Sequence, residues 1–170
     1  PHLHFEIRDT KNQMPFNPLI FNIDVVDTKK PVIQKLFLFH ENNFGEDIIT
    51  QKIKLEKISD GLYKAPKIYT SGKIGIGLQM YDNQDLSLFN KNGIHSIKIF
   101  VDDKIISDYN YNNIKFDDSQ YLNLLIDYKE FKSKKIRVQK LFNPNNSNIS
   151  FIKKNQKNGK FSIEENKSYD

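Results

Sequence analysis

Apolar and polar residues alternate along most of this chain with the two-residue period of β-strands. From His2 to Arg8, Leu3, Phe5 and Ile7 fall on one face and His2, His4, Glu6 and Arg8 on the other. Asp9–Gln13 reads as a polar turn, and Met14–Phe21 as a second extended segment. Pro15 and Pro18 cannot donate to a ladder, which confines that segment to an edge or a terminating stretch. Asn17, ahead of Pro18, is biased toward extended backbone. Asn22–Lys30 has no period and reads as a connection, with Pro31 opening the next element.

Strands are expected near Val32–Phe39, Ile48–Lys57, Gly61–Ile68, Lys73–Tyr81, Ile94–Val101 and Ile105–Tyr111. Turn signals separate them, among them Asp60-Gly61, Ser71-Gly72, Asp82-Asn83, Asn92-Gly93 and Asp102-Asp103. Short strands at this spacing predict a mainly β fold, an antiparallel immunoglobulin-like β-sandwich. Gly75 and Gly77 lie inside a strand pattern, where each points to a bulge or a close backbone approach. In Asp118–Lys132 the period changes: Tyr121, Leu124, Leu125, Tyr128 and Phe131 recur at helical spacing, and Asp117, Asp118 or Ser119 can cap. One amphipathic helix is expected there, followed by strands at Ile136–Phe142, Ile149–Lys153 and Lys160–Ile163. The chain therefore divides into a short amino-terminal hairpin (1–22), a connection (23–31), a β-sandwich (32–113) and a helix with further, incompletely closed β-structure (114–170).

Composition narrows the chemistry. The 170 residues include no cysteine, so a metal site must use His, Asp or Glu. No apolar run approaches the roughly 20 residues that a membrane-crossing helix needs. The net charge of +5 raises the question of nucleic acid. Nearly all of that charge is lysine, however, spread among Asp and Glu, and Arg8 and Arg137 are the only arginines. Nucleic acid is therefore not expected as a partner. Weak attraction to an anionic polymer, such as bacterial wall or outer-membrane glycolipid, fits the same charge.

His2-Leu3-His4 is the one constellation with metal-site spacing. Residues i and i+2 of a strand share a face, about 7 Å apart, so one imidazole can bind a cation while the other works beside it. A catalytic zinc needs three protein ligands and an open position for water, and this pair supplies at most two groups. Taken alone, two histidines on a polar strand face are ordinary surface residues. His40 and His95 stand singly within the sandwich. Asp82, Asp85, Asp102, Asp103, Asp117 and Asp118 fall at turns or a helix cap, where turn chemistry accounts for them. "YDNQDLSLF" lacks the glycine-centred oxygen spacing of a calcium loop. Tyr109, Tyr111, Phe116, Tyr121, Tyr128 and Phe131 fit a core between helix and sheet, or a sugar-binding platform.

The string around the histidines adds a resemblance. "PHLHFEIRDTKNQMPFNPLIF" resembles the final strands of the lysostaphin-type peptidoglycan endopeptidases (peptidase family M twenty-three). In that family a Pro-His-Leu-His-Phe-Glu run is followed by a turn and a Pro-x-Asn-Pro segment, matched here by Pro15, Asn17 and Pro18. The likeness spans Pro1–Phe21. It implies that His4 is a zinc ligand and that His2 is a catalytic histidine acting on the zinc-bound water without binding the metal. The family's remaining ligands, a His and an Asp of an H-x-x-x-D motif, have no counterpart in this sequence. The resemblance thus implies the carboxyl-terminal part of a Zn2+ metalloendopeptidase, inactive by itself, whose intact parent cleaves peptidoglycan stem peptides or cross-links in the periplasm or at the cell surface. "GKIGIGLQMYDNQD", "NKNGIHSIKIFVDD" and "FDDSQYLNLLIDYKEF" resemble, less specifically, the β-rich region that follows the peptidase domain in some Gram-negative envelope enzymes.

Two other functions remain compatible with the sequence: a non-catalytic envelope regulator with a degenerate peptidase domain, and a β-sandwich wall-binding or adhesion module. The sequence next to Pro1 on its upstream side distinguishes them, because an intact H-x-x-x-D marks the enzyme.

Overall fold

The computed structural model describes residues 4–23, 25–85, 87–144 and 149–169. Its centre is the Leu36-Phe37-Leu38-Phe39 run in strand β3 (Val32–Glu41), which is apolar without alternation because both faces of the strand are covered. β3 pairs antiparallel with β4 (Asp47–Lys54) on one side and with the long β7 (Gly72–Gln84) on the other. Between them, Asp60-Gly61 turns a small hairpin, β5 (Glu56–Ser59) with β6 (Leu62–Lys64), where one longer strand was expected to reach Lys57. β7 runs through Asp82-Asn83 instead of turning there. A register shift between Asp82 and Gln84 absorbs the irregularity before the chain returns as β8 (Ser87–Asn92).

A second sheet has β10 (Lys104–Asn110) between β9 (Ser96–Val101) and β12 (Ile152–Asn155). The fold is mainly β and every pairing among the described residues is antiparallel, as expected. The two sheets share a core. Ile76, Leu78 and Met80 of β7 meet Ile97 and Ile99 of β9, buried Tyr109 of β10, and buried Leu125, Leu141 and Phe151.

The carboxyl-terminal third contributes to this core. β11 (Gln139–Lys140) and β13 (Phe161–Ile163) pair with β7, and β12 pairs with β10, so residues after 113 supply strands to both sheets. Without these strands β7 and β10 would keep open edges and bare apolar faces.

Gly75 and Gly77 serve a close approach, not a bulge. On the face of β7 opposite the shared core they stand across from Phe39 and Phe37. A Cβ on Gly75 would lie 2.5 Å from the Phe142 ring, and one on Gly77 would lie 2.7 Å from the Phe39 ring. The missing side chains let Phe39 and Phe142 pack edge to face, 5.3 Å between centroids, with both residues fully buried.

The single helix expected at Asp118–Lys132 is divided into α1 (Tyr121–Leu124) and α2 (Tyr128–Lys134). Asp127 is extended, and its side chain accepts from the Glu130 amide at 2.9 Å, capping a new helix. Asp127 N donates to Val138 O and Lys140 N to Leu125 O, which ties the break to β11. Tyr121, Leu125 and Tyr128 therefore do not share one buried face: Leu125 is buried, Tyr121 half-buried, and Tyr128 66% exposed. No helix among the described residues is long and apolar enough to cross a membrane.

Candidate functional site

The amino-terminal residues form a minimal hairpin. β1 (Ile7–Arg8) pairs with β2 (Pro15–Phe16), matching Ile7 to Phe16 and Arg8 to Pro15. Asp9 closes the turn, its carboxylate accepting from the amides of Lys11 and Asn12 at 2.8 and 3.0 Å. Three contacts dock the hairpin on the sandwich: Asn17 N donates to Asn112 O at 2.7 Å, Phe16 bridges Asn113, and the Arg8 guanidinium lies 5.0 Å from the Phe116 ring centre. No residue from 4 to 23 is buried.

His4 lies just ahead of β1 with its side chain 73% exposed, Nε2 3.8 Å from Glu6 Oε2. Glu6 is hydrogen-bonded by Arg8, and that bond foremost, with the charges of Arg8 and His4, holds its carboxyl below the usual range. His4 is thus open enough to serve a cation as one ligand, beside a carboxylate that stays ionised. The expected catalytic His2 lies outside the described residues. Among the described residues no three His, Asp or Glu side chains gather around a point that could hold a metal. The other histidines are engaged elsewhere. His40 Nδ1 meets Thr50 Oγ1 at 2.6 Å, while its Nε2 meets Thr70 Oγ1 at 3.1 Å and Ser71 O at 3.2 Å. His95 Nε2 meets Asn112 Oδ1.

A second feature adjoins the hairpin. An open cleft of about 1270 Å³ runs between the ends of β7 and β8 and the α1–α2 segment, and Asn17 and Leu19 of the hairpin region form part of its wall. Tyr81, Tyr111, Tyr128 and Phe131 give it aromatic surface, and Lys91, Lys135 and Arg137 give it positive charge. Asp27 and Asp82 also line it. Burial pushes the Asp82 carboxyl up, and the Asp27 charge adds to this against a hydrogen bond from the Asn83 amide. Burial likewise pushes the Tyr111 phenol up to about 12, and the bond that its oxygen accepts from Gln139 Nε2 at 2.8 Å only partly offsets this, so Tyr111 is a neutral hydroxyl at physiological pH. The sequence marked Tyr111, Tyr128 and Phe131 as a possible platform, but it gave no signal for the cations and amides beside them, which come from separate elements.

No family model, curated protein or solved structure matches this chain.

Proposed function

We propose that this chain is the carboxyl-terminal part of a zinc-dependent metalloendopeptidase that hydrolyses peptide bonds of bacterial peptidoglycan, in the periplasm or at the cell surface. The observation that carries the reading is the run Pro1-His2-Leu3-His4-Phe5-Glu6 followed by Pro15-x-Asn17-Pro18. Three structural features support it. Ile7–Arg8, directly after the first segment, pair antiparallel with Pro15–Phe16 at the start of the second, about a polar turn. His4 is unobstructed. Phe5, on the opposite side of the alternation, is 62% exposed, an apolar side chain placed to be covered by a neighbouring domain.

In this reading His4 is one zinc ligand, the other two are supplied by residues preceding Pro1 in the intact protein, and His2 acts beside the metal. Zinc in such a site lowers the pKa of a bound water toward about 7 and polarises the scissile carbonyl. Glu6 remains ionised beside His4 and favours its imidazole as a base and ligand. Arg8 ties Glu6 in turn to the strand.

The test is hydrolysis of purified peptidoglycan by the intact protein, read as new amino groups released. Activity removed by a chelator and restored by zinc is the expected result. An intact protein that binds no zinc and releases nothing is instead the degenerate regulator.

A further inference from the structure

Helix α2 is turned the opposite way from an ordinary surface helix. Glu130 and its cap Asp127 are 8% and 6% exposed, while Tyr128 and Phe131 are 66% and 37% exposed. The cause lies in the sheet: Lys52 of β4 holds Glu130 at 2.7 Å, and Lys140 stands 3.9 Å from Asp127. With its acidic side anchored, α2 presents Tyr128 and Phe131 to the cleft. Aromatic surface held toward water in this way is a binding feature unless something else covers it.

The rest of the cleft defines the chemistry that this surface would meet. Gln34, Gln79, Gln84, Asn92 and Asn123 line it, and their side-chain amides have no hydrogen-bond partner among the described residues. Lys91, Lys135 and Arg137 have no carboxylate within ion-pair distance among those residues, and each rests on an aromatic ring instead. Lys91 lies 4.6 Å from the Tyr81 centroid, and Lys135 and Arg137 lie 5.8 and 5.7 Å from that of Phe131. An apolar peptide seated here would strip water from those amides and cations without replacing it. A nucleic acid, charged at every nucleotide, would find a single arginine for its phosphates. A sugar chain suits the set: pyranose faces stack on aromatic rings, amides pair with hydroxyl and acetamido groups, and free cations take carboxylates. At about 1270 Å³ the cleft exceeds the 300–1,000 Å³ of a typical small-molecule site and has room for several rings.

The geometry points to a glycan-binding site in this cleft, selective for N-acetylated amino sugars that carry carboxylates, with Tyr128 as the stacking platform and Arg137, Lys135 and Lys91 as the carboxylate contacts. This rests on the cleft alone and stands or falls apart from the zinc reading, because no metal or hydrolysis enters it.

Calorimetric titration of the 170-residue chain tests it with three probes. They are a tetrasaccharide of alternating N-acetylglucosamine and N-acetylmuramic acid, neutral chitotetraose, and a free stem tetrapeptide. The acidic tetrasaccharide should bind at least about tenfold more tightly than chitotetraose, and the peptide should not bind. Tyr128→Ala and Arg137→Ala should each weaken the acidic glycan about tenfold. Tyr128→Phe, which keeps the ring, and Lys129→Ala, outside the cleft, should leave it unchanged. Far-ultraviolet circular dichroism and a thermal midpoint matching those of the parent show that each variant is folded. Equal affinity for the neutral and acidic glycans, unaltered binding by Tyr128→Ala, peptide binding as tight as glycan binding, or no glycan binding at all would each overturn the proposal.

Discussion

Lys52 of β4 reaches Glu130 of α2 with Nζ 2.7 Å from Oε1, joining residues 78 positions apart in the chain. Lys134, one turn further along α2, meets the same carboxylate at 3.1 Å. The Lys52 bond foremost, then that of Lys134, holds the Glu130 carboxyl below the usual range in spite of its burial. A carboxyl whose folded pKa is depressed stabilises the fold fully above its unfolded value, and the contribution is lost as pH falls through the folded one. Glu130→Gln should therefore cost about 1 kcal/mol near neutral pH, short of a fully buried pair because both lysines keep much of their surface in water. Urea melts of parent and variant should differ at pH 7 and converge as the pH falls below the ordinary carboxylate range. A gap that persists undiminished at low pH would show that the carboxylate charge is not what anchors α2.

Gly75 offers a sharper steric test. Its added Cβ would fall 2.5 Å from Phe142 Cδ1, against a ring fixed between β3 and β7. Gly75→Ala should cost about 1–3 kcal/mol by overpacking, beyond any gain from alanine's stiffer unfolded chain. Phe142→Leu alone should also destabilise, by leaving a gap beside Phe39. Combined, the two should cost clearly less than their sum, since the smaller side chain vacates the space that the new methyl needs. Denaturant midpoints of the four proteins give the coupling, and strict additivity would mean that the Phe142 ring moves aside freely.

What could be read from the sequence follows from how local each cause is. The unbroken Leu36–Phe39 run and the alternation in β7 announce buried strands, and Gly75 and Gly77 announce a bulge or a close approach without deciding between them, because strand period and glycine act within a few residues. The helix break was also written locally, as Asp127 with Glu130 three positions on, a capping pattern that the apolar period of Tyr121, Leu125 and Tyr128 masked. The orientation of α2 was not legible, since Lys52 in a distant strand sets it. The cleft was hidden for the same reason. Its amides and cations come from β3, β7, β8, α1 and the segment after α2, each unremarkable alone and assembled only by the fold.

In the intact protein, His4 and His2 should separate by role. His4→Ala should lower zinc content and abolish peptidoglycan hydrolysis, because removing a ligand opens the coordination shell. His2→Ala should lower turnover and leave most of the zinc bound, because its proposed work lies beside the metal. Metal analysis and initial rates on the same preparations check both. Equal zinc loss in the two variants would make His2 a ligand and contradict the division.

The hairpin itself should behave as a loosely held appendage of a firm sandwich. Two residues per strand make a marginal element in water, and no residue from 4 to 23 is buried. Its attachments are one backbone bond from Asn17 to Asn112, the Phe16–Asn113 bridge and the Arg8–Phe116 contact. In native-state hydrogen exchange the amides of Ile7 and Arg8 should therefore exchange close to the rate of an unfolded chain. Those of Phe37 and Leu38 in β3 should report global unfolding. Zinc should leave this contrast unchanged. His4 is exposed, and among the described residues only Glu6 is within ion-pair reach; one imidazole and one carboxylate on an exposed segment lack the ligand number that fixes a zinc ion. Titration of the chain with zinc should give no stoichiometric break and no protection of residues 4–23 beyond that of a short dihistidine peptide. A tight one-to-one site that slows exchange at Ile7 and Arg8 would mean that this chain completes a metal centre from its own residues. The proposal that the remaining ligands precede Pro1 would then fail.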